Sequence, residues 1–222
     1  MDKYSILKQY YGHSAFRAGQ EELIDSILSG RDALCVMPTG GGKSLCYQIP
    51  ALLLPGITLV VSPLISLMKD QVAALKSAGV PAAYINSSLT GEQIRTVYAR
   101  TRKGAYKLIY VAPERLETNS FLSLMQEMDV SFLAVDEAHC ISQWGQDFRP
   151  SYLGIVDFIN ALPRRPIVAA YTATATKQAQ SDILRLLQLQ SPYRIVTGFD
   201  RPNLYFDVRR PKNKFSALAA LI

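Results

Sequence analysis

The chain has 222 residues, 49% of them hydrophobic, which is enough to bury the core of one large domain. No apolar run is long enough to span a membrane, and the first residues lack the basic and apolar parts of a signal peptide. The net charge of +6 favours a polyanionic partner. The three cysteines show no C-x-x-C spacing, so neither a zinc site nor a redox dithiol is predicted.

Apolar periodicity predicts that strands and helices alternate along the chain. Two helices come first, over 2–11 and from about Arg17 to Gly30. Strands are predicted at 33–37, 57–62, 82–86, 107–112, 130–135, 167–171, 193–197 and 204–208. Further helices are predicted at 45–54, 64–78, 91–102, 119–128, 152–162, 177–187 and 214–222. Because the strands are continuous apolar runs, we expect a parallel sheet that is covered by helices on both faces.

A glycine-rich turn, MPTGGGKS, joins the first predicted strand to the helix after it. This layout is typical of a phosphate-binding loop, in which backbone N–H groups and a helix N-terminus surround phosphate oxygens. Lys43 would reach the terminal phosphates, and the Ser44 hydroxyl would hold Mg2+. The general pattern has glycine where this chain has Met37, so the loop is a variant; an ordinary glycine-rich turn is the alternative. The predicted nucleotide contacts are Met37, Pro38, Thr39, Gly40, Gly41, Gly42, Lys43 and Ser44.

An acidic pair, Asp136-Glu137, directly follows the predicted strand 130–135. A carboxylate at the carboxyl end of a parallel strand faces the ligand crevice. Asp136 can therefore hold Mg2+, directly or through water, and Glu137 can polarise the water that attacks the γ-phosphate. A solvated pair at the start of a helix is the alternative. The phosphate loop earlier in the chain makes the catalytic interpretation the better one.

Two further groups of polar residues are candidates for the same site. One group follows the predicted strand 167–171, and the other precedes the predicted strand 33–37. Thr172 and Thr174 come directly after the predicted strand 167–171, and their hydroxyls could sense the γ-phosphate or belong to the cap of the next helix. Gln20, three residues after Arg17, carries a carboxamide that can read the polar edge of adenine. Taken alone, a glutamine of this kind is usually an ordinary surface residue.

An aromatic segment follows the acidic pair at 140–150 and contains Trp144, Phe148 and Arg149. Aromatic rings beside a cation are suited to stacking on single-stranded bases. The alternative is that Trp144 and Phe148 are buried and serve only to hold the loop in place.

Together these motifs resemble those of the RecQ family of DNA helicases, within helicase superfamily 2, from about Tyr11 to Phe206. The similar segments are 11–20, 37–44, 61–71, 111–116, 136–150 and 172–174. His13 stands where many relatives have another ring, and Gln146 where many have histidine.

The resemblance implies a role for each site residue. Catalysis would involve Lys43, Asp136 and Glu137, with Ser44 and Asp136 on Mg2+. Adenine would be bound by His13, Arg17 and Gln20. Coupling between hydrolysis and DNA would involve His139, Thr172 and Thr174. The nucleic-acid contacts would be Ser62, Pro63, Gln143, Trp144, Phe148 and Arg149.

The resemblance also implies an α/β fold, a RecA-like P-loop domain with a central, mostly parallel sheet flanked by helices. Residues 1–203 would form the first motor domain, and 204–222 a linker and the start of a second. The implied activity is that of an ATP-dependent 3′–5′ DNA helicase in DNA repair and recombination, with ATP and Mg2+ as cofactors. Its partners would be single-stranded and partly duplex DNA and a second motor domain in the same polypeptide.

We expect a monomer without membrane contact, cytoplasmic in a bacterium and nuclear in a eukaryote. Two alternatives remain at this stage. The chain could be a nucleotide- and DNA-binding module with little turnover by itself, because an arginine from the second domain would complete catalysis. It could also serve a duplex-DNA translocase or an RNA helicase, which the aromatic segment argues against.

Overall fold

The computed structural model describes residues 1–145, 147–198, 207–208 and 210–220. The strands are β1 (Ala33–Val36), β2 (Ile57–Val61), β3 (Ala82–Ile85), β4 (Leu108–Val111), β5 (Val130–Val135), β6 (Ile167–Thr172) and β7 (Tyr193–Val196). Within the described residues they form one sheet in the order β3-β4-β2-β5-β6-β1-β7, with every neighbouring pair parallel. The predicted parallel sheet is therefore confirmed.

Helices cover both faces of this sheet. They are α1 (Lys3–Tyr11), α2 (Gln20–Leu28), α3 (Lys43–Leu53), α4 (Ile65–Ser77), α5 (Gly91–Arg102), α6 (Pro113–Leu116), α7 (Asn119–Gln126), α8 (Ile155–Ala161), α9 (Lys177–Leu186) and α10 (Lys214–Ala219). One core cluster packs α2, α3 and α4 against the sheet, and the other packs α7, α8 and α9 against the opposite face. Among the described residues, no helix combines the length and apolar character that crossing a bilayer requires.

The predicted elements differ from the observed ones mainly at their ends. Leu64 lies outside α4 and is 41% exposed, so it is not part of the buried face predicted for that helix. The helix predicted to start at Tyr152 starts at Ile155, because residues 150–152 form a 3-10 turn. Most of the predicted strand 204–208 lies outside the described residues, as do the last two residues of the predicted helix 214–222. Cys35, Cys46 and Cys140 are free and buried, as expected for core residues.

The order of the strands brings three candidate segments together at the carboxyl ends of the strands. Because β6 lies between β5 and β1, the loops that follow these three strands are neighbours. Two backbone hydrogen bonds extend the sheet into these loops. Met37 N donates to Thr172 O at 3.0 Å, and Asp136 N donates to Val61 O at 2.8 Å. The first residue of each segment is therefore positioned by the sheet itself.

At the amino ends of the strands, Asp32 connects neighbouring elements through hydrogen bonds and is only 3% exposed. Its carboxylate accepts hydrogen bonds from the Arg165 guanidinium at 2.6 and 3.1 Å, from Val168 N at 2.9 Å and from Gln190 N at 2.7 Å. A buried carboxylate is tolerated when its oxygens are paired in this way. Asp32 thus joins β1, β6 and the segment before β7 at the end of the sheet away from the candidate site.

Candidate nucleotide-binding and catalytic site

Two of the three glycines in the 37–44 loop, Gly41 and Gly42, are closely packed. Gly42 has φ +85°, and a Cβ at that position would overlap Gln20 Nε2. A Cβ on Gly41 would lie 2.7 Å from Met37 Cγ and 2.9 Å from Pro38 O. Met37 itself is 2% exposed and belongs to the core on the α3 side of the sheet. The side chain that replaces the expected glycine therefore lies under the loop and does not obstruct its opening.

The first turn of α3 places Lys43 and Ser44 at the mouth of this loop. Lys43 Nζ donates to Met37 O at 2.9 Å and to Pro38 O at 3.4 Å, so its ammonium group lies within the curve of the loop. Both residues are partly exposed, and the helix N-terminus beside them favours negative charge. The arrangement suits a phosphate group.

A cavity of about 420 Å³ opens above the loop, within the size range of ligand sites. Most of the predicted nucleotide and catalytic residues line it. The lining consists of His13, Ala15, Arg17, Gln20, Thr39, Gly40, Gly42, Lys43, Ser44, Leu45, Leu67, Asp136 and Glu137. Met37, Pro38 and Gly41 do not line the cavity.

Gln20 connects the turn before α2 to the phosphate loop. Its Oε1 accepts from Arg17 N at 2.8 Å, and its Nε2 lies 3.2 Å from both Gly41 O and Gly42 O. A carboxamide has two donor and two acceptor positions, so one acceptor position remains. That position can accept from the N6 amino group of adenine, whereas the O6 of guanine is itself an acceptor.

The two other predicted adenine residues lie at the cavity entrance. Arg17 Nη1 donates to Gly40 O at 2.6 Å, which fastens the loop from the outside. His13 is exposed and lines the same cavity. A flat base would therefore meet both a ring and a guanidinium group.

Asp136 is a buried carboxylate at the end of β5, 7% exposed. Burial and, secondarily, the charge of Glu137 raise its pKa from 3.8 to about 6. Its backbone carbonyl accepts from Tyr152 Oη at 2.8 Å, a contact that sequence reasoning missed because the tyrosine lies in a separate turn. A carboxylate held in this costly state would be stabilised by a cation.

The donor set fits Mg2+ that arrives with a nucleotide. Asp136 and Ser44 present a carboxylate and a hydroxyl to the same cavity. No group of three or more His, Cys, Asp or Glu side chains in the described part of the chain could hold a metal without further ligands. Mg2+ in nucleotide enzymes uses one or two protein oxygens and completes its shell with phosphates and water.

Glu137 adopts a left-handed conformation with φ 47° and ψ 43°, which is unfavourable for a residue with a Cβ. Its carboxylate lines the cavity and lies 3.3 Å from His139 Nδ1. The hydrogen bond to His139 lowers the pKa of Glu137 below its ordinary 4.5. Glu137 is therefore ionised at neutral pH, as a residue that polarises water must be.

His139 joins the acidic pair to the end of β6. The Thr172 hydroxyl donates to Thr174 O at 2.9 Å, so it accepts the proton on His139 Nδ1, also at 2.9 Å. Hydrogen bonds to the Cys140 sulfur and the Glu137 carboxylate raise the pKa of His139 above its ordinary 6.5. The predicted coupling residues His139, Thr172 and Thr174 thus form one connected chain with Glu137.

The aromatic segment extends away from the cavity. Trp144 is 74% exposed, so the alternative of a buried tryptophan is wrong, whereas Phe148 is half-buried. Gln143 is also exposed, and Gln146 lies outside the described residues. Arg149 is half-buried and donates to Asp147 Oδ2 at 2.8 Å and to Pro63 O at 3.3 Å.

Pro63 and Arg149 line a second groove of about 440 Å³, together with Ser87, Glu114 and Arg115. Ser62 is only 1% exposed, and its hydroxyl has no hydrogen-bond partner among the described residues. In this structure Pro63 is available to a ligand and Ser62 is not. Of the predicted nucleic-acid residues, Gln143 and Trp144 are thus exposed, Ser62 is buried, and the other three, Pro63, Phe148 and Arg149, are half-buried.

The amino-acid sequence of the chain is similar to those of known helicases. The DEAD/DEAH box helicase family matches residues 17–183. The chain is 50% identical over 211 residues to the ATP-dependent DNA helicase RecQ of Bacillus subtilis, covering 95% of this chain and 36% of that protein. It is 49% identical over 218 residues to the RecQ of Haemophilus influenzae, covering 98% of this chain and 35% of that protein.

The chain thus spans about a third of the length of these relatives. Among solved structures, the helicase domain of Pyrococcus furiosus Hef matches with a TM-score of 0.63 at 21% identity, covering 81% of this chain and 38% of that one. That likeness concerns the fold alone. It confirms the predicted RecA-like arrangement of a parallel sheet between helices.

Replacing Asp136 by Asn should stabilise the protein at neutral pH in the absence of divalent cations. Because the pKa of Asp136 is about 6 in the folded protein and ordinarily 3.8, its contribution to stability is present below pH 3.8 and lost as the pH rises through 6. Asparagine never ionises, so we expect Asp136→Asn to raise the free energy of unfolding by about 1–3 kcal/mol at pH 7.5. The difference should shrink towards pH 4 in urea denaturation.

Asp157→Asn, at an exposed position on α8, provides the control and should leave stability nearly unchanged. If Asp136→Asn were no more stable than the wild type at pH 7.5, the buried charge of Asp136 would not be costly.

Proposed function

The chain belongs to the DEAD/DEAH box helicase family, and we propose that it is the ATP-binding motor domain of a RecQ-type 3′–5′ DNA helicase that acts in DNA repair and recombination. One observation carries the proposal. Lys43, Ser44, Asp136 and Glu137 line a single cavity, and Glu137 is hydrogen-bonded through His139 to the end of β6. The arrangement therefore combines a phosphate-binding loop with a candidate general base, and it connects that base to the end of β6.

In the proposed reaction the loop binds the phosphates of ATP. Backbone N–H groups at the start of α3 and the Lys43 ammonium neutralise their charge. Mg2+ would be held by Ser44 and Asp136, where it would stabilise the charge on the transferring phosphoryl group. Thr39 and Gly40, which line the cavity, complete the wall on the side of Arg17.

Glu137 orients and polarises the attacking water in this proposal. Its ionised state and its position in the cavity support that role. Its carboxylate lies 3.3 Å from the Nδ1 atom of His139, which also contacts the Thr172 hydroxyl. A change at the γ-phosphate would therefore reach Thr172 and Thr174 through His139.

Single-stranded DNA is the proposed second ligand. Trp144 projects into solvent, Gln143 is exposed beside it, and Arg149 fixes the end of the loop to Pro63. Base stacking on an exposed aromatic ring is tolerant of sequence and favours single strands. This exposure favours single-stranded or partly duplex DNA over a duplex-DNA translocase or an RNA helicase on the same fold.

A second motor domain in the same polypeptide is the proposed structural partner. The RecQ relatives are about three times as long as this chain, which leaves room for such a domain. An arginine supplied by a second domain is worth roughly 10³–10⁵ in rate in related enzymes, so we expect slow turnover by these 222 residues alone. We propose a monomer that works with DNA, in the bacterial cytoplasm or the eukaryotic nucleus.

Replacing Glu137 by Gln tests the catalytic assignment. In the longer parent protein, Glu137→Gln should reduce DNA-stimulated ATP turnover by at least about 100-fold, because a general base contributes roughly 10²–10⁴ to a rate. Affinity for a non-hydrolysable ATP analogue should change little. Glu22→Gln, an exposed glutamate on α2, is the matched control. Near-normal turnover by Glu137→Gln would remove Glu137 from this role.

Replacing Gln20 by Ala tests adenine selection. The remaining acceptor position of its carboxamide should distinguish ATP from GTP, so Gln20→Ala should reduce the preference for ATP by roughly tenfold. It should also weaken the binding of both nucleotides, because the contacts to Gly41 and Gly42 are lost. Competition between fluorescent ATP and GTP analogues measures both effects. An unchanged preference, with both affinities lowered equally, would show that Gln20 only supports the loop.

A further inference from the structure

The aromatic segment is attached to the domain through one buried hydroxyl group. Ser142 is 0% exposed, and its Oγ donates to Asp182 Oδ2 at 2.8 Å. The same oxygen accepts from Trp144 N at 3.2 Å. The backbone folds back tightly here, since Gly145 N donates to Ser142 O at 2.9 Å and a Cβ on Gly145 would overlap His139 O. The side chain of Trp144 is therefore exposed, whereas the backbone that carries it is held by hydrogen bonds.

Asp182 supplies the other half of this contact from α9, a separate helix. It is 7% exposed, and the hydrogen bond from Ser142 is the main cause that holds its pKa below the ordinary 3.8. Asp182 is therefore an ionised acceptor at neutral pH, and hydrogen bonds to a charged acceptor are about twice as strong as neutral ones. Its outer side pairs with Arg185 Nη2 at 3.1 Å, and Arg185 is 71% exposed.

Helix α9 is in turn fixed to the segment that contains the coupling threonines. The side chain of Thr176 caps the helix by accepting from Ala179 N at 3.1 Å, and Gln180 Nε2 donates to Ala175 O at 3.1 Å. The segment 172–176 and the base of the aromatic loop are thus held by the same helix.

We propose that Ser142 and Asp182 form a latch that positions Trp144 for contact with single-stranded DNA and connects that contact to the 172–176 segment through α9. This connection is separate from the chain Glu137–His139–Thr172. Ser142 and Asp182 are positioning residues that touch neither DNA nor nucleotide. The inference rests on the proposed role of the aromatic segment in binding DNA.

The latch is tested in the 222-residue chain, because Trp144 is its only tryptophan and reports on the loop directly. Ser142→Ala and Asp182→Ala should bind a fluorescein-labelled oligo-dT at least about tenfold more weakly than the wild type, the lower end of what loss of a hydrogen bond to a charged group costs. The decay of Trp144 fluorescence anisotropy should gain a fast component, because the ring is no longer held. Binding of a fluorescent ATP analogue and the melting temperature monitor the rest of the domain.

Three further variants separate the latch from general effects. Asp182→Asn keeps a neutral acceptor for Ser142, so its DNA affinity and Trp144 anisotropy should lie between those of Asp182→Ala and the wild type. Ser181→Ala removes a hydroxyl whose one hydrogen bond in the described part of the chain stays within α9, to Lys177 O, and should behave as the wild type. Trp144→Ala should weaken DNA binding at least as much as the latch variants.

Wild-type DNA affinity and unchanged anisotropy in both Ser142→Ala and Asp182→Ala would overturn the latch alone. Full DNA affinity in Trp144→Ala would overturn the role of the aromatic segment and the latch with it. Equal losses in Asp182→Asn and Asp182→Ala would also overturn the latch, because the charge and not the hydrogen bond would then be responsible.

Discussion

Thr172 holds two site segments at once, and the geometry of the site depends on this. Its carbonyl accepts from Met37 N at the start of the phosphate loop, and its hydroxyl accepts from His139 after the acidic pair. Both contacts exist because β6 lies between β1 and β5 in the sheet. The side chains that would bind phosphate and activate water are therefore aligned by one residue at the end of one strand.

The site also contains two groups that are unfavourable in themselves. Asp136 is ionised in a buried position only at a cost in free energy, and Glu137 has a left-handed backbone. The continuous sheet and the clamp at Asp32 at the amino ends of its strands stabilise the fold that supports them. Such costs are retained where function requires them, which is why they point to the same cavity as the phosphate loop.

Much of this could be predicted from the sequence. Parallel strands are buried on both faces and therefore appear as apolar runs, and the Gly-Lys-Ser loop and Asp136-Glu137 identified the cavity. The order of the strands could not be predicted, because apolar runs carry no information about pairing. The contact of Gln20 with Gly41 and Gly42, and that of Ser142 with Asp182, join residues far apart in the chain and leave no local signal. The exposure of Trp144 was likewise undecidable, since tryptophan is common in cores.

The central claim is that nucleotide and single-stranded DNA are coupled through Thr172. The most direct measurement is the affinity of this chain for a magnesium complex of a non-hydrolysable ATP analogue, with and without oligo-dT, in the wild type and in Thr172→Val. Valine keeps the shape and the backbone contact to Met37 but removes the hydroxyl. If the two ligands are coupled through Thr172, DNA should tighten nucleotide binding by at least about fivefold in the wild type, the lower end of typical coupling, and by clearly less in Thr172→Val. Equal nucleotide affinity with and without DNA in the wild type would contradict it.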